Sequence, residues 1–113
     1  MILGIVGSRG FTDYALLCRV VGQVKGNVSI IVSGGAKGAD TLAEKYARER
    51  GIELIVYPPN WALYGKSAGF RRNQTIVAHS DAIVAFWDGA SRGTAHTIEC
   101  ARLAGVPVYV KEY

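Results

Sequence analysis

Residues 33–40 read Ser-Gly-Gly-Ala-Lys-Gly-Ala-Asp, and this stretch decides the fold. An apolar, β-branched run, Val28–Val32, leads into it, and a segment with helical periodicity, Thr41–Arg50, follows it. A strand, a glycine turn and a helix start form a geometry that binds phosphate, because glycines let backbone N–H groups surround an anion. Lys37 adds a full charge to the turn. The alternative is that the glycines only allow close packing, and this stretch alone leaves the two interpretations balanced.

Apolar runs alternate with helical segments along the whole chain. The predicted strands are Ile2–Val6, Val28–Val32, Ile52–Tyr57, Asp81–Phe86 and Val106–Val110. Short connections between alternating strands and helices predict a parallel sheet with helices on both faces. We therefore predict an α/β fold, a Rossmann-like doubly wound three-layer sandwich with a five-stranded parallel sheet in the order 3-2-1-4-5. We expect one domain over residues 1–113.

Helix boundaries follow from capping residues. We predict that Asp40 caps the helix after the glycine turn and that Gly51 ends it. Asn60–Gly69 is predicted to be irregular, with a helix over about Ala68–His79 and a last helix over Thr94–Ala104.

Composition excludes several classes of protein. The formal net charge of +4 permits an anionic ligand, but does not by itself argue for nucleic acid. No apolar run approaches the ~20 residues of a membrane span, and the N-terminus lacks the basic region of a signal peptide. Cys18 and Cys100 have no metal-ligand spacing and are expected to be free thiols. We therefore expect a cytoplasmic protein that associates with no membrane and binds no metal or cofactor.

Ligands of doubly wound sheets bind beyond the carboxyl ends of the strands. Four segments are predicted at that edge: Gly7–Gly10, Ser33–Asp40, Pro58–Trp61 and Trp87–Thr94. Three of them are rich in glycine, serine and basic residues, so Arg9, Lys37 and Arg92 are predicted to converge there. The sequence therefore predicts an anion site at this edge.

The sequence leaves two possible roles open for each of several other polar and aromatic residues. Ser91 or Thr94 is either a helix N-cap or a hydroxyl for a ligand phosphate. Asp88 either receives a ribose hydroxyl or caps a turn. Trp61 and Tyr64 either stack on a base or form a small satellite core.

The residues gathered so far resemble the SLOG superfamily of Rossmann-like proteins, and the resemblance covers nearly the whole chain. It rests on Ile5–Arg9, Val32–Asp40, Tyr57-Pro58, Arg71–Asn73, Ser80-Asp81 and Ser91–Thr94, which stand in the expected order. Within this superfamily, the chain looks like the small stand-alone YspA-like family. This resemblance implies a sensor-type domain that binds a nucleotide or a nucleotide-derived ligand.

Two further relatives imply alternative functions. The motif order is similar to the Rossmann domain of DprA, which implies binding of single-stranded DNA. It is also similar to the Lonely Guy phosphoribohydrolases, in which an arginine nine residues before the aspartate of the fourth strand is catalytic. Arg72 matches that arginine ahead of Asp81. Those enzymes carry a catalytic glutamate where this chain has Ala95-His96, which departs from their pattern.

The sequence thus predicts a defined set of site residues. The ligand-binding candidates are Gly7, Ser8, Arg9, Ser33, Gly34, Gly35, Ala36, Lys37, Gly38, Asp40, Arg72, Asn73, Ser91, Arg92, Gly93 and Thr94. If the chain is an N-glycosidic hydrolase, the candidate catalytic residues are Arg72, Asp88 and His96. The expected partners are a nucleotide-like small molecule, with single-stranded nucleic acid as the alternative, and a second copy of the chain. The homodimer is predicted because the large aromatics Trp61, Tyr64, Phe70 and Trp87 exceed what a small core needs.

Overall fold

Five parallel strands form the single sheet of the structure, a computed structural model that describes all residues from Met1 to Tyr113. The strands are β1 (Ile2–Gly7), β2 (Ile30–Ser33), β3 (Glu53–Val56), β4 (Ala82–Trp87) and β5 (Val108–Glu112). Their order is β3-β2-β1-β4-β5, and every neighbouring pair is parallel. The predicted fold class and strand order are therefore confirmed.

Helices cover both faces of the sheet. They are α1 (Tyr14–Gly22), α2 (Ala39–Arg50), α3 (Trp61–Tyr64), α4 (Ala68–Ala78) and α5 (Arg92–Ala104), with a 3-10 turn over Gly65–Ser67. On one face α1 and α2 pack against side chains such as Leu3 and Ile5. On the other face α4 and α5 pack against side chains such as Val6 and Ile83. None of these helices has the length and apolar character needed to cross a membrane.

Two strands begin two residues later than their apolar runs predict. The observed β2 starts at Ile30 rather than at Val28, and β5 starts at Val108 rather than at Val106. A strand begins where a neighbouring strand can pair with it, and Ile30 pairs with Ile2 of β1. The preceding apolar residues are half-buried against the two cores without belonging to the sheet.

The prediction that Asp40 caps α2 is wrong. Gly38 occupies the N-cap position with φ +78°, and Asp40 lies inside the first turn of the helix. Its carboxylate accepts a hydrogen bond from the N–H of Ala36 at 3.0 Å, so it closes the glycine turn and not the helix. The predicted end of α2 is confirmed, because Gly51 adopts the left-handed conformation there.

The segment predicted as irregular contains helical structure. Asn60 caps the short helix α3, with its side chain accepting from the N–H of Leu63 at 3.0 Å. The 3-10 turn then leads directly into α4. The sequence prediction missed this because a four-residue helix has too few positions to show a period.

Candidate functional site

A cavity of about 490 Å³ opens at the carboxyl ends of β1, β2 and β4. Its walls come from the loops after β1, β2 and β4, from the first turn of α5, and from the segment that runs from α3 into α4. Its volume lies in the range of small-molecule sites. The predicted edge of the sheet therefore carries the candidate site.

Gly38 brings the loop after β1 against the start of α2. A Cβ built at Gly38 would collide with the carbonyl oxygens of Ser8, at 2.5 Å, and of Arg9. Its φ of +78° is also one that residues with a Cβ rarely adopt. The glycine is therefore required for close approach, which was one of the two interpretations of the motif.

Ser8 joins the loop after β1 to the loop after β4. It is buried, its N–H donates to the carbonyl oxygen of Phe86 at 2.9 Å, and its Oγ accepts from the N–H of Asp88 at 3.2 Å. Gly7 is equally enclosed, since a Cβ there would lie 2.6 Å from the Cβ of Ala39 and from the carbonyl oxygen of Phe86. Both residues line the cavity and also set its shape.

Asp88 orders the turn that leads into α5. Its carboxylate accepts from the N–H groups of Ala90, at 2.9 Å, and Ser91, at 2.7 Å. These hydrogen bonds favour the ionised form and hold the pKa of Asp88 below its usual value. Asp88 caps this turn, as one of its two interpretations stated, and it also lines the cavity.

Two hydroxyl groups lie at the N-terminus of α5. The Oγ of Ser91 and the Oγ1 of Thr94 are 3.3 Å apart, and both residues line the cavity. Ser91 occupies the N-cap position, but its side chain makes no capping hydrogen bond to the helix. The helix N-terminus therefore keeps N–H groups that an anion can accept from.

Arg72 and Asp40 flank Gly34. The guanidinium of Arg72 donates from Nη1 to the carbonyl oxygen of Gly34 and from Nε to Oδ1 of Asn73 at 3.0 Å. Burial raises the pKa of Asp40, although the Ala36 N–H and the charge of Arg72 oppose this rise. Burial also lowers the pKa of Arg72, and Asp40 opposes that change. The buried carboxyl of Asp40 and the half-buried guanidinium of Arg72 thus influence each other electrostatically in the wall of the cavity.

His96 does not line the cavity but contacts two residues that do, Phe70 and Asn73. Its ring stacks on Phe70 with 4.2 Å between centroids and 24° between planes, and its Nδ1 lies 3.3 Å from Nδ2 of Asn73. Burial lowers its pKa, so the imidazole is neutral near pH 7. The same Asn73 donates to the carbonyl oxygen of Gly93 at 3.2 Å, which ties α4 to the start of α5.

The structure brings most of the predicted site residues to the cavity. Those in its lining are Gly7, Ser8, Arg9, Ala36, Asp40, Arg72, Asn73, Asp88, Ser91, Gly93 and Thr94. Those outside the lining are Ser33, Gly34, Gly35, Lys37, Gly38, Arg92 and His96. Of the three cations predicted to converge, only Arg9 lines the cavity, while Lys37 and Arg92 are exposed elsewhere.

Sequence reasoning assigned only part of one wall of the cavity. Trp61, Lys66, Gly69 and Phe70 line it, and all four belong to the segment from α3 to the first turn of α4. Trp61 was a candidate for base stacking, a small satellite core or an interface, and Phe70 was a candidate for an interface alone. Nothing in the sequence indicated that Lys66 reaches the site. A second cavity of about 460 Å³ lies nearby, lined by Tyr57, Tyr64, Arg71 and neighbouring residues.

Comparison with known proteins agrees with this architecture. The family described as "YspA, cpYpsA-related SLOG family" matches residues 1–64, which contain β1, the glycine turn and α2. The chain belongs to this SLOG family. A similar protein is the Gene 61 protein of Mycobacterium phage D29, which is 39% identical over 85 residues, covering 70% of this chain and 68% of that protein. Membership of this SLOG family supports a domain that binds a nucleotide-related ligand.

Proposed function

We propose that this SLOG domain binds a phosphorylated nucleoside or another nucleotide-derived small molecule in the cavity beyond β1, β2 and β4. The observation that carries the proposal is the convergence of two guanidinium groups, two hydroxyls and a helix N-terminus on one cavity. Arg9 and Arg72 provide the charges, and Ser91 and Thr94 provide the hydroxyls at the start of α5. A helix N-terminus and charge-assisted hydrogen bonds are the usual means of holding a phosphate.

The negative groups of the cavity restrict where the phosphate lies. Asp40 and Asp88 both line the cavity, and an ionised carboxylate repels a phosphate. Arg72 offsets the charge of Asp40, which leaves Arg9 and the start of α5 as the favourable wall for the anion. The carboxylate of Asp88 is the natural acceptor for a ribose hydroxyl, because it is ionised and its residue is exposed.

A calorimetric titration tests this proposal with AMP, ADP-ribose, a cyclic nucleotide and a short single-stranded DNA. Loss of one charge-assisted contact costs on the order of 1.5–3 kcal/mol, so Arg9→Ala is expected to weaken nucleotide binding about 10-fold to 100-fold. The matched control is Arg48→Ala, which removes an exposed arginine from the last turn of α2, outside the cavity, and is expected to change nothing. A different result would make the domain a single-stranded DNA binder. In that case the DNA binds tightly, Arg92→Ala weakens DNA binding, and no nucleotide binds below millimolar concentration.

One observation favours N-glycosidic hydrolysis as a second function. The two carboxylates of the cavity have pKa values shifted in opposite directions, Asp40 upward by burial and Asp88 downward by hydrogen bonds. Such a pair can divide the roles of acid and base in glycoside hydrolysis. Arg72 lies beside Asp40, whereas His96 lies outside the cavity lining, so Asp40, Asp88 and Arg72 are the catalytic candidates of this second function.

Chromatography of released base tests the second function. AMP incubated with the protein for several hours is expected to yield adenine if the domain is a hydrolase. Asp88→Asn should then abolish release while calorimetry still detects AMP binding. Absence of free base, with AMP bound, leaves the domain as a binding or sensor module.

A further inference from the structure

The cavity has two chemically different walls. One wall carries Arg9, Ser91 and Thr94, which are suited to an anion. The other wall is formed by the segment from α3 to the first turn of α4, and it carries Trp61 and Phe70. Nothing in the phosphate-binding wall explains why two large aromatic rings lie in the same cavity.

Phe70 offers a supported ring face to the cavity. Its side chain is 51% exposed, although its ring stacks on His96 with parallel geometry. Phe70 lines the cavity and His96 does not, so the face of the phenyl ring that His96 leaves free is available for stacking. Because Asn73 lies within hydrogen-bond distance of the imidazole, the ring behind Phe70 is held in place as well. A rigid aromatic face beside a polar cavity is suited to stacking.

Trp61 lies next to this face. Its side chain is 57% exposed, and its Cη2 atom lies 3.7 Å from the position that a Cβ at Gly69 would occupy. The indole therefore approaches α4 at the residue before Phe70. Asn60 caps α3 and so fixes the helix that begins with Trp61.

We infer that Trp61 and Phe70 form a base subsite, which takes the purine ring of a nucleoside phosphate whose phosphate lies at the opposite wall. This inference rests on the proposed function and names its ligand class. A purine stacks over a larger area than a pyrimidine, so purine nucleotides bind more tightly here. Lys66 lines the same wall, and its ammonium group can donate to the N7 acceptor that every purine base of a nucleotide carries.

The neighbouring cavity supplies a matched control. Tyr64 is another exposed aromatic residue of α3, but it lines the second cavity and not the first. The guanidinium of Arg71 covers its ring at 4.4 Å from the centroid. Tyr64→Ala therefore removes a similar ring from the same short helix without touching the proposed subsite.

The experiment is a calorimetric comparison of AMP with ribose 5-phosphate, which has the phosphate and sugar but no base. Phe70→Ala is expected to weaken the binding of AMP about 10-fold, which is the cost of losing one stacked base. It should leave the dissociation constant of ribose 5-phosphate within about twofold of the wild-type value, because this ligand has no base to stack. Phe70→Tyr should restore AMP binding, and Tyr64→Ala should change neither ligand. Melting temperatures of the variants verify that each one is folded.

Three results would overturn the base subsite. The first is an equal loss of AMP and ribose 5-phosphate in Phe70→Ala, which would make Phe70 a support for the phosphate wall. The second is a loss of AMP binding in Tyr64→Ala and not in Phe70→Ala, which would move the base to the second cavity. The third is equal affinity of the wild type for both ligands, with Phe70→Ala changing neither; this result removes the subsite and leaves the proposed function standing. If the wild type binds neither ligand, the proposed function fails together with the subsite.

Discussion

The guanidinium of Arg72 donates a hydrogen bond to the carbonyl oxygen of Gly34, a residue 38 positions earlier in the chain. This contact ties the loop after β2 to helix α4, which belong to different parts of the sequence. It is possible only because residue 34 has no side chain: a Cβ there would lie 2.8 Å from Cζ of Arg72 and 3.0 Å from Oδ2 of Asp40. The glycine motif therefore shapes the cavity through its absent side chains as well as through its backbone.

Gly34→Ala is expected to have the same effect as loss of the Arg72 contact. The guanidinium is the flexible end of a long side chain, so it moves away and the hydrogen bond to Gly34 is lost. We expect a loss of about 1.5 kcal/mol in the free energy of unfolding, the lower end for a hydrogen bond to a charged group, because Arg72 is only half-buried. A double-mutant cycle in urea measures the coupling: Gly34→Ala together with Arg72→Ala should cost no more than Arg72→Ala alone. Additive losses would contradict the shared contact.

Gly38→Ala is expected to be far more damaging than the same change at Gly10. At Gly38 the new methyl group meets backbone oxygens that cannot move easily, and φ is +78°. At Gly10 nothing lies within 4 Å of the added Cβ. We expect thermal unfolding of Gly38→Ala to occur at least about 10 °C below the wild type, and that of Gly10→Ala within about 2 °C of it. Similar melting temperatures for the two variants would show that the loop after β1 can move away from α2.

We expect Asp40 to make the free energy of unfolding depend on pH. Burial raises the folded-state pKa of this carboxyl, so the native protein holds a proton that the unfolded chain releases near pH 4. Stability due to Asp40 is therefore fully present below the usual carboxyl pKa and is lost as the pH rises through the raised folded value. Asp40→Asn removes this loss and keeps an oxygen for the N–H of Ala36.

Urea unfolding at several pH values between about 3.5 and 7 checks the sign. The stability of Asp40→Asn relative to the wild type should increase as the pH rises across this window. A relative stability that decreases instead would mean that attraction to Arg72 outweighs burial.

We predict that the protein self-associates as a dimer through exposed apolar side chains of α3. Leu63 is 66% exposed and Tyr64 is 42% exposed, whereas few monomeric domains leave neighbouring large apolar residues in water. Trp87 does not contribute to this prediction, because it is half-buried and its indole donates to the carbonyl oxygen of Ser91 at 3.0 Å. Light scattering at ~100 μM, well above a micromolar dissociation constant, should give the dimer mass, and Leu63→Lys should give the monomer mass. A monomer mass for the wild type would contradict the prediction.

Local sequence was sufficient for the order of elements and for the edge that carries the site. Apolar runs such as Ile2–Val6 are long enough to show that a strand is buried on both faces, and glycines such as Gly51 mark helix ends through their own conformation. Once the strands are parallel, the loops that follow them must meet at one edge of the sheet. These conclusions need only the covalent order of the residues and the pattern of apolar residues along the chain.

The sequence by itself therefore determined the α/β sandwich, the strand order and the loops of the cavity, whereas the tertiary structure decided which side chains enter it. Successive residues of a helix point about 100° apart, so the exact start of α2 decides whether Asp40 caps the helix or faces the cavity. That start depends on the approach of Gly38 to the backbone of Ser8 and Arg9, a contact between distant segments. The aromatic wall from Trp61 to Phe70 likewise reaches the cavity through packing between α3 and α4. Such contacts depend on the positions of whole elements in space, which no local pattern of residues encodes.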